Sequence, residues 1–243
     1  MKSYRGHAIA VGILLIACSA ASILSAIPLG STLDGPDYLG KLADSDSAVV
    51  LTALLEFVWA ATGAGIAIGL YPVLRKSSRG LALGSVAARV VEGVFVLIGS
   101  LSLLALLTVS QQSLAAGSAA SVSFPPTADA LLAVRDWAQG FVGMLAFCTG
   151  ALLYYLVMYR SRVVPRWLSG WGLVGAAMML VATVNAGFTQ EFGFTTVTTV
   201  LNIPIGLQEM VLAVWLIVRG FTPRAAGPSV GSIAASTAPS MTP

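Results

Sequence analysis

The residues of this chain able to do chemistry are four acids and two arginines set in apolar surroundings: Glu56, Arg89, Glu92, Arg135, Asp136 and Glu209. Arg89 and Glu92 lie near the middle of a long apolar run. Three positions apart, they share one face of a helix and can touch. A charge at mid-membrane costs roughly 2.5–3.5 kcal/mol on insertion scales, so such groups face a bundle interior and pair with something. Summed as ionised groups, four acids and two arginines give minus two, which leaves an excess of carboxylates. The six therefore support two kinds of chemistry. As ion pairs they lock helices together; as a polar site they bind a proton, a cation or a polar solute.

Other chemistries have little to work with. The one histidine, His7, precedes the first apolar run, so a bis-histidine haem or a histidine-rich zinc site inside the apolar runs has no ligands. No G-x-S-x-G nucleophile elbow lies in the apolar runs, the one such spacing (Gly227 to Gly231) falling in the Pro-, Ser- and Ala-rich tail, and the sequence contains no C-x-x-C pair. A carboxylate enzyme built on Glu56, Glu92 and Glu209 has no motif behind it. The expectation is a protein without a cofactor, a metal or a catalytic centre.

The elements that must position these residues follow from composition. Hydrophobic residues make up 57% of the 243 and charged ones only 9%, with a mean hydropathy of +0.88. A soluble domain carries about 25% charged residues, so the class is an integral membrane protein. Six apolar runs, at residues 8–27, 48–70, 81–107, 137–158, 168–188 and 200–218, each approach the ~20 residues that cross the hydrocarbon as a helix. They show no period of two, and unbroken runs of this length satisfy their backbone only as helices. The fold class is thus all-α: a polytopic bundle of six transmembrane helices forming one domain over residues 1–221. Residues 222–243, rich in Pro, Ser, Ala and Gly, form an expected disordered tail.

Basic residues set the orientation. Lys2 and Arg5 precede the first run; Arg75, Lys76 and Arg79 lie between the second and third; Arg160, Arg162 and Arg166 between the fourth and fifth; Arg219 and Arg224 after the sixth. Alternate connections hold Asp34, Asp37, Asp44, Asp46, Asp129 and Glu191 against Lys41. The positive-inside rule then puts both termini in the cytoplasm. The basic pI near 9.1 reports topology, not nucleic-acid binding, and the expected partners are membrane lipid and a small ion or polar solute.

Details along the chain sharpen the expectations. Cys18, after Leu15-Ile16-Ala17, resembles the cleavage point of a lipoprotein signal, but the apolar run continues to Ile27 and favours an uncleaved first helix. Gly65 and Gly69 form a small-xxx-small pair suited to close helix packing. Residues 28–47 and 108–126 read as loops, the second without core-forming residues. Tyr154, Tyr155 and Tyr159, with Trp167 and Trp171, read as an interfacial aromatic belt. Asn185 is the buried polar candidate of the fifth run. By depth, Arg89, Glu92 and Glu209 fall near the middle of the bundle and Glu56, Arg135 and Asp136 one layer outward, as if in one charge network.

Six stretches carry a family resemblance: LDGPDYL (33–39), GIAIGLYPVL (65–74), RVVEG (89–93), RDWA (135–138), YRSRVVPRWLSGWGL (159–173) and PIGLQEMVLAVWLIVRGF (204–221). Together they resemble a bacterial multi-pass membrane family known as a domain of unknown function, number four thousand three hundred and eighty-six. The resemblance implies a six-span protein of the bacterial cytoplasmic membrane. Arg89, Glu92, Arg135, Asp136 and Glu209 fall inside those stretches, and Glu56 lies in a similar LLE. The function expected is a small transport or sensing bundle; the alternative is a non-catalytic structural or partner-binding protein whose buried charges only hold helices together.

Overall fold

The computed structural model describes residues 2–33, 35, 37–116, 124–193 and 195–222, the side chains of residues 2 and 3 excepted. The expected disordered tail lies outside the described residues beyond Thr222. Helices follow the apolar runs: α1 (Lys2–Ser25), α2 (Tyr38–Ala43), α3 (Asp46–Leu74), α4 (Arg79–Ala116), α5 (Phe124–Arg135), α6 (Met144–Ser161), α7 (Arg166–Thr189) and α8 (Thr196–Val218). A π-helical segment, Asp136–Gly143, joins α5 to α6 into one continuous rod. Six of the resulting helices are long and apolar enough to cross a membrane, and the described residues contain no strand.

The six spans form a closed ring. Each packs on its neighbours in sequence, α1 on α3, α3 on α4, α4 on α6, α6 on α7 and α7 on α8, and α8 returns to α1. Short connections make successive neighbours antiparallel. Small residues let the backbones approach. A Cβ added at Gly65 would stand 3.2 Å from Leu14, and one at Gly69 only 2.7 Å from Val11, so the pair expected to pack does so against α1. Large apolar side chains such as Leu51, Phe57, Ile68, Leu101, Val181 and Leu207 point outward, the arrangement required when the solvent is hydrocarbon.

The basic segments gather at one end of the ring. Arg5 donates from Nη1 and Nη2 to the carbonyls of Val218 and Ile217, both at 3.0 Å, and so satisfies the last turn of α8. Lys76 sits over the Tyr4 ring at 4.4 Å, and the Thr222 N–H donates to Val163 O at 2.8 Å. These contacts tie the start of α1, the α3–α4 turn, the α6–α7 turn and the end of α8 together.

The opposite end departs from the loop expectations. Residues 28–47 are not simply polar: α2 buries Tyr38 and Leu42, and the Tyr38 hydroxyl donates to Asp129 Oδ1 at 2.6 Å. Residues 108–126 are not a loop throughout. α4 continues to Ala116 because Leu106, Leu107 and Ser110 find a second apolar cluster with Leu29, Tyr38, Leu42 and Val49, and Ser110 Oγ donates to Leu39 O at 2.5 Å. Pro125 and Pro126 occupy the first turn of α5, where a missing N–H costs nothing.

Candidate functional site

The interior of a ring without a central helix must be filled by side chains, and the long polar ones do much of it. Arg89 projects inward from α4 and is 1% exposed. Its Nη1 meets Glu92 Oε2 at 2.7 Å, in an ion pair too poorly aligned to count as a hydrogen bond. Nε donates to Gly63 O at 3.3 Å, Nη2 lies 3.8 Å from Cys18 Sγ, and the guanidinium stands 4.6 Å from the centre of the Phe147 ring. The lack of side chains at Gly63 and Gly150 makes the room: a Cβ there would lie 2.9 Å from Arg89 Nη2 and 3.1 Å from its Cγ. Glu92 is likewise buried, at 2% exposure.

The second pair lies nearer the acidic end. Arg135 grips Glu56 through two nitrogens, Nη2 to Oε1 at 2.5 Å and Nη1 to Oε2 at 3.3 Å. Ser100 Oγ donates to Oε2 at 2.5 Å, Gln139 Nε2 to Oε1 at 3.1 Å, and Arg135 Nη1 also reaches Gly99 O at 3.1 Å. A buried carboxylate with four donors from three helical segments is fully satisfied, and the two-nitrogen geometry fixes the segments against one another. Arg135 ends α5 and Gln139 lies within the π segment; the wider π turn places both on Glu56.

Between α1, α3, the π segment, α6, α7 and α8 is a cavity of about 610 Å³. Glu56, Arg135, Asp136 and Glu209 line it, with a polar arc from Ser19, Ser22, Gln139, Thr183, Thr198 and Asn202 and an apolar wall that includes Trp59, Phe147 and Phe192. Arg89 and Glu92 do not line it; they are sealed behind the wall. The single network expected from the sequence is thus two separate ion pairs, with Asp136 and Glu209 left over. Asp136, half-buried, has Arg135 as its electrostatic neighbour, but Arg135 spends its nitrogens on Glu56 and Gly99. Glu209 lines the cavity with Ser19 and feels Arg89 electrostatically. It stands thirteen residues beyond Thr196, about 20 Å along α8 at 1.5 Å per residue.

Two expectations are corrected here. Tyr154 and Tyr155 are not interfacial anchors but wholly buried, at 1% and 0% exposure, because their face of α6 points into the ring. Asn185 is exposed on α7; the buried polar groups of that helix are Ser169 and Thr183. Sequence reasoning passed over Ser19, Ser22, Gln139, Asn202 and Gln208 as site residues. The Cys18, Ser22 and Ser25 spacing, at steps of four and three, was a legible polar stripe on α1.

A closed ring of six apolar helices around a cavity lined by both apolar and charged side chains defines a multi-pass α-helical membrane protein. The chain belongs to the family described as Domain of unknown function (DUF4386), whose model matches residues 10–220, from within α1 to just past the end of α8. No curated protein and no solved structure matches it.

Proposed function

We propose that the cavity binds a small organic cation with an apolar body, and that the protein is a transport or sensing bundle of the bacterial cytoplasmic membrane with both termini in the cytoplasm. One observation carries the reading. Of the six charges inside the ring, Arg135 neutralises Glu56 and Arg89 neutralises Glu92, so Asp136 and Glu209 face the cavity as an unbalanced pair of acids. A volume near 610 Å³ suits a small-molecule ligand, which ordinarily occupies about 300–1,000 Å³. Trp59, Phe147 and Phe192 offer apolar and aromatic faces for a cationic body. Pro204, which removes one backbone bond from α8 beside the cavity, and Gly206 make that helix the most readily bent part of the wall. The orientation rests on the basic residues gathered at one end.

The test is ligand-induced thermal stabilisation of the purified protein with tetraphenylphosphonium as the cationic probe and a neutral aromatic of equal size as control. Stabilisation by the cation alone, lost in Asp136→Asn and in Glu209→Gln, is the expected result. Equal response to both probes, or none, removes the reading.

A second reading, in which the charges serve only as glue, is favoured by the sealing of Arg89 and Glu92 and by the full satisfaction of Glu56. It applies to those four residues. It predicts that Arg89→Met combined with Glu92→Leu alters stability and leaves any cellular phenotype intact.

A further inference from the structure

The ring closes tightly between α1 and α8 over only part of its height. Toward the basic end the two helices touch. A Cβ added at Gly12 would stand 2.6 Å from Ile217 Cγ1 and 2.8 Å from Ala213 O, and Arg5 holds the Ile217 and Val218 carbonyls. Ala8 and Ala213 keep no exposure at all. Since Arg5 meets Val218 and Gly12 meets Ala213, α1 and α8 run in opposite directions.

Toward the acidic end the same two faces part. Ile23 follows Gly12 by eleven residues, about three turns, and so continues the Gly12 face about 16 Å nearer that end. Gly206 precedes Ala213 by seven residues, about two turns, and continues the Ala213 face to a similar depth. Nothing fills the space between them. Ile23 is 60% and Ile203 51% exposed, and no neighbouring atom lies within 4 Å of a Cβ built on Gly206. Ile23, Ile203 and Gly206 nevertheless line the cavity, as do Ala26 and Thr199, which are also exposed. The serines of α1 do not bridge the gap, because Ser22 Oγ donates to Ser19 O at 3.0 Å and Ser25 Oγ to Ser22 O at 2.8 Å, within their own helix. The cavity therefore opens sideways between α1 and α8.

The surroundings of the opening say what it faces. Exposed Leu24, Ile27, Val200 and Leu207 flank it, and Ile203 stands seven residues, about 10 Å, inside the start of α8 at Thr196. At that depth an exposed apolar surface meets acyl chains, because hydrocarbon fills ~30 Å of the bilayer. The opening thus joins the lipid to a cavity that holds two acids without cations, Asp136 and Glu209.

We infer that the ligand of the cavity is a long-chain cationic amphiphile, an ammonium head held by Asp136 and Glu209 with one alkyl chain leaving through the α1–α8 opening into the leaflet on the acidic side. This ligand class rests on the cation site proposed above and adds how the cation is built and where it comes from. A chain that passes from acyl chains into the opening stays in apolar surroundings, so it enters without a hydration cost, whereas the head gains the two carboxylates. Ser22, Thr199 and Asn202, beside the opening, offer the head polar contacts on its way in.

The test is photolabelling of the full chain in phospholipid nanodiscs with a dodecyltrimethylammonium ion that carries a diazirine midway along its chain. Labelled peptides are located by mass spectrometry with and without excess tetraphenylphosphonium, a cation without a chain. The expected result is label at residues 20–27 and 199–207 that tetraphenylphosphonium displaces and that falls about tenfold in Asp136→Asn or Glu209→Gln, as the loss of a charge partner requires. If a variant does not fold, displacement from the wild type decides. Displaceable label confined to residues 190–193, at the end of the ring, shows a ligand entering from water and overturns the proposal. Label that tetraphenylphosphonium does not displace, spread over every lipid-facing helix, overturns it as well. In both cases thermal stabilisation of the wild type by tetraphenylphosphonium leaves the cation reading standing. Absence of that stabilisation, or label at the opening unchanged in both acid variants, removes the cation reading and this ligand with it.

Discussion

Glu56 on α3 and Arg135 at the end of α5 meet through two nitrogens and two oxygens, at 2.5 and 3.3 Å, from positions 79 residues apart. The pair is the strongest tie between the first and second halves of the ring on its acidic side, and it owes its completeness to Ser100 and Gln139. Removing one partner strands the other in a nearly dry interior. Glu56→Ala is therefore expected to cost about 3–5 kcal/mol, the usual cost of an uncompensated buried charge, with the lower end favoured because Arg135 keeps Gly99 O. The double variant Glu56→Leu, Arg135→Met should recover much of the loss. Chemical unfolding in mixed micelles, followed by Trp fluorescence, checks both.

Arg89 and Glu92 lie outside the cavity, so their removal separates stability from binding. Arg89→Met should destabilise by about 3–5 kcal/mol, while Arg89→Met with Glu92→Leu costs less, since neither charge is then left alone. The double variant, which removes one charge of each sign, should change the affinity for a cationic probe by no more than about twofold, as isothermal titration would show. A large fall in affinity for the double variant would place the pair within the site.

The α7–α8 contact depends on Gly175, where an added Cβ would stand 3.0 Å from both the Cα and the N of Ile205. Those are backbone atoms and cannot swing aside. Gly175→Ala is expected to cost about 1–3 kcal/mol as an overpacked contact. Gly6→Ala, where nothing lies within 4 Å, is the control and should be neutral. Melting temperatures in one detergent compare them directly.

Tyr38 ties α2 to α5 at the acidic end, outside the spans. Burial first, and then the hydrogen bond and charge of Asp129, raise its phenol above the ordinary value of 10.0. A group held above its unfolded value contributes stability that is complete below that value and is lost as pH rises toward the folded one. The α2 clamp should thus be intact at neutral pH and loosen only above about pH 10, in line with the unperturbed tyrosine value. Tyr38→Phe should raise amide exchange across Tyr38–Ala43 at neutral pH, for a cost of about 1.5–3 kcal/mol as a hydrogen bond to a charged group. Unchanged exchange would show that apolar packing of Leu42 holds α2 alone.

Much of this architecture was legible in the sequence. Run length and apolar composition require six helices, because hydrocarbon leaves the backbone no other partner. The step of three from Arg89 to Glu92 requires their contact, because both belong to one helix. The rest depended on how the helices close. Arg135 and Asp136 are neighbours in sequence, yet the π turn sends Arg135 to Glu56 and leaves Asp136 facing the cavity. Tyr154 and Tyr155 occupy the place of interfacial tyrosines by sequence position, but the rotation of α6 buries both beside Glu209 and Gln208. Nothing local could foretell this, since a helix's rotation about its own axis is set by its neighbours. The sequence by itself determined which charges enter the membrane; the ring alone decided which of them found partners and which were left facing the cavity.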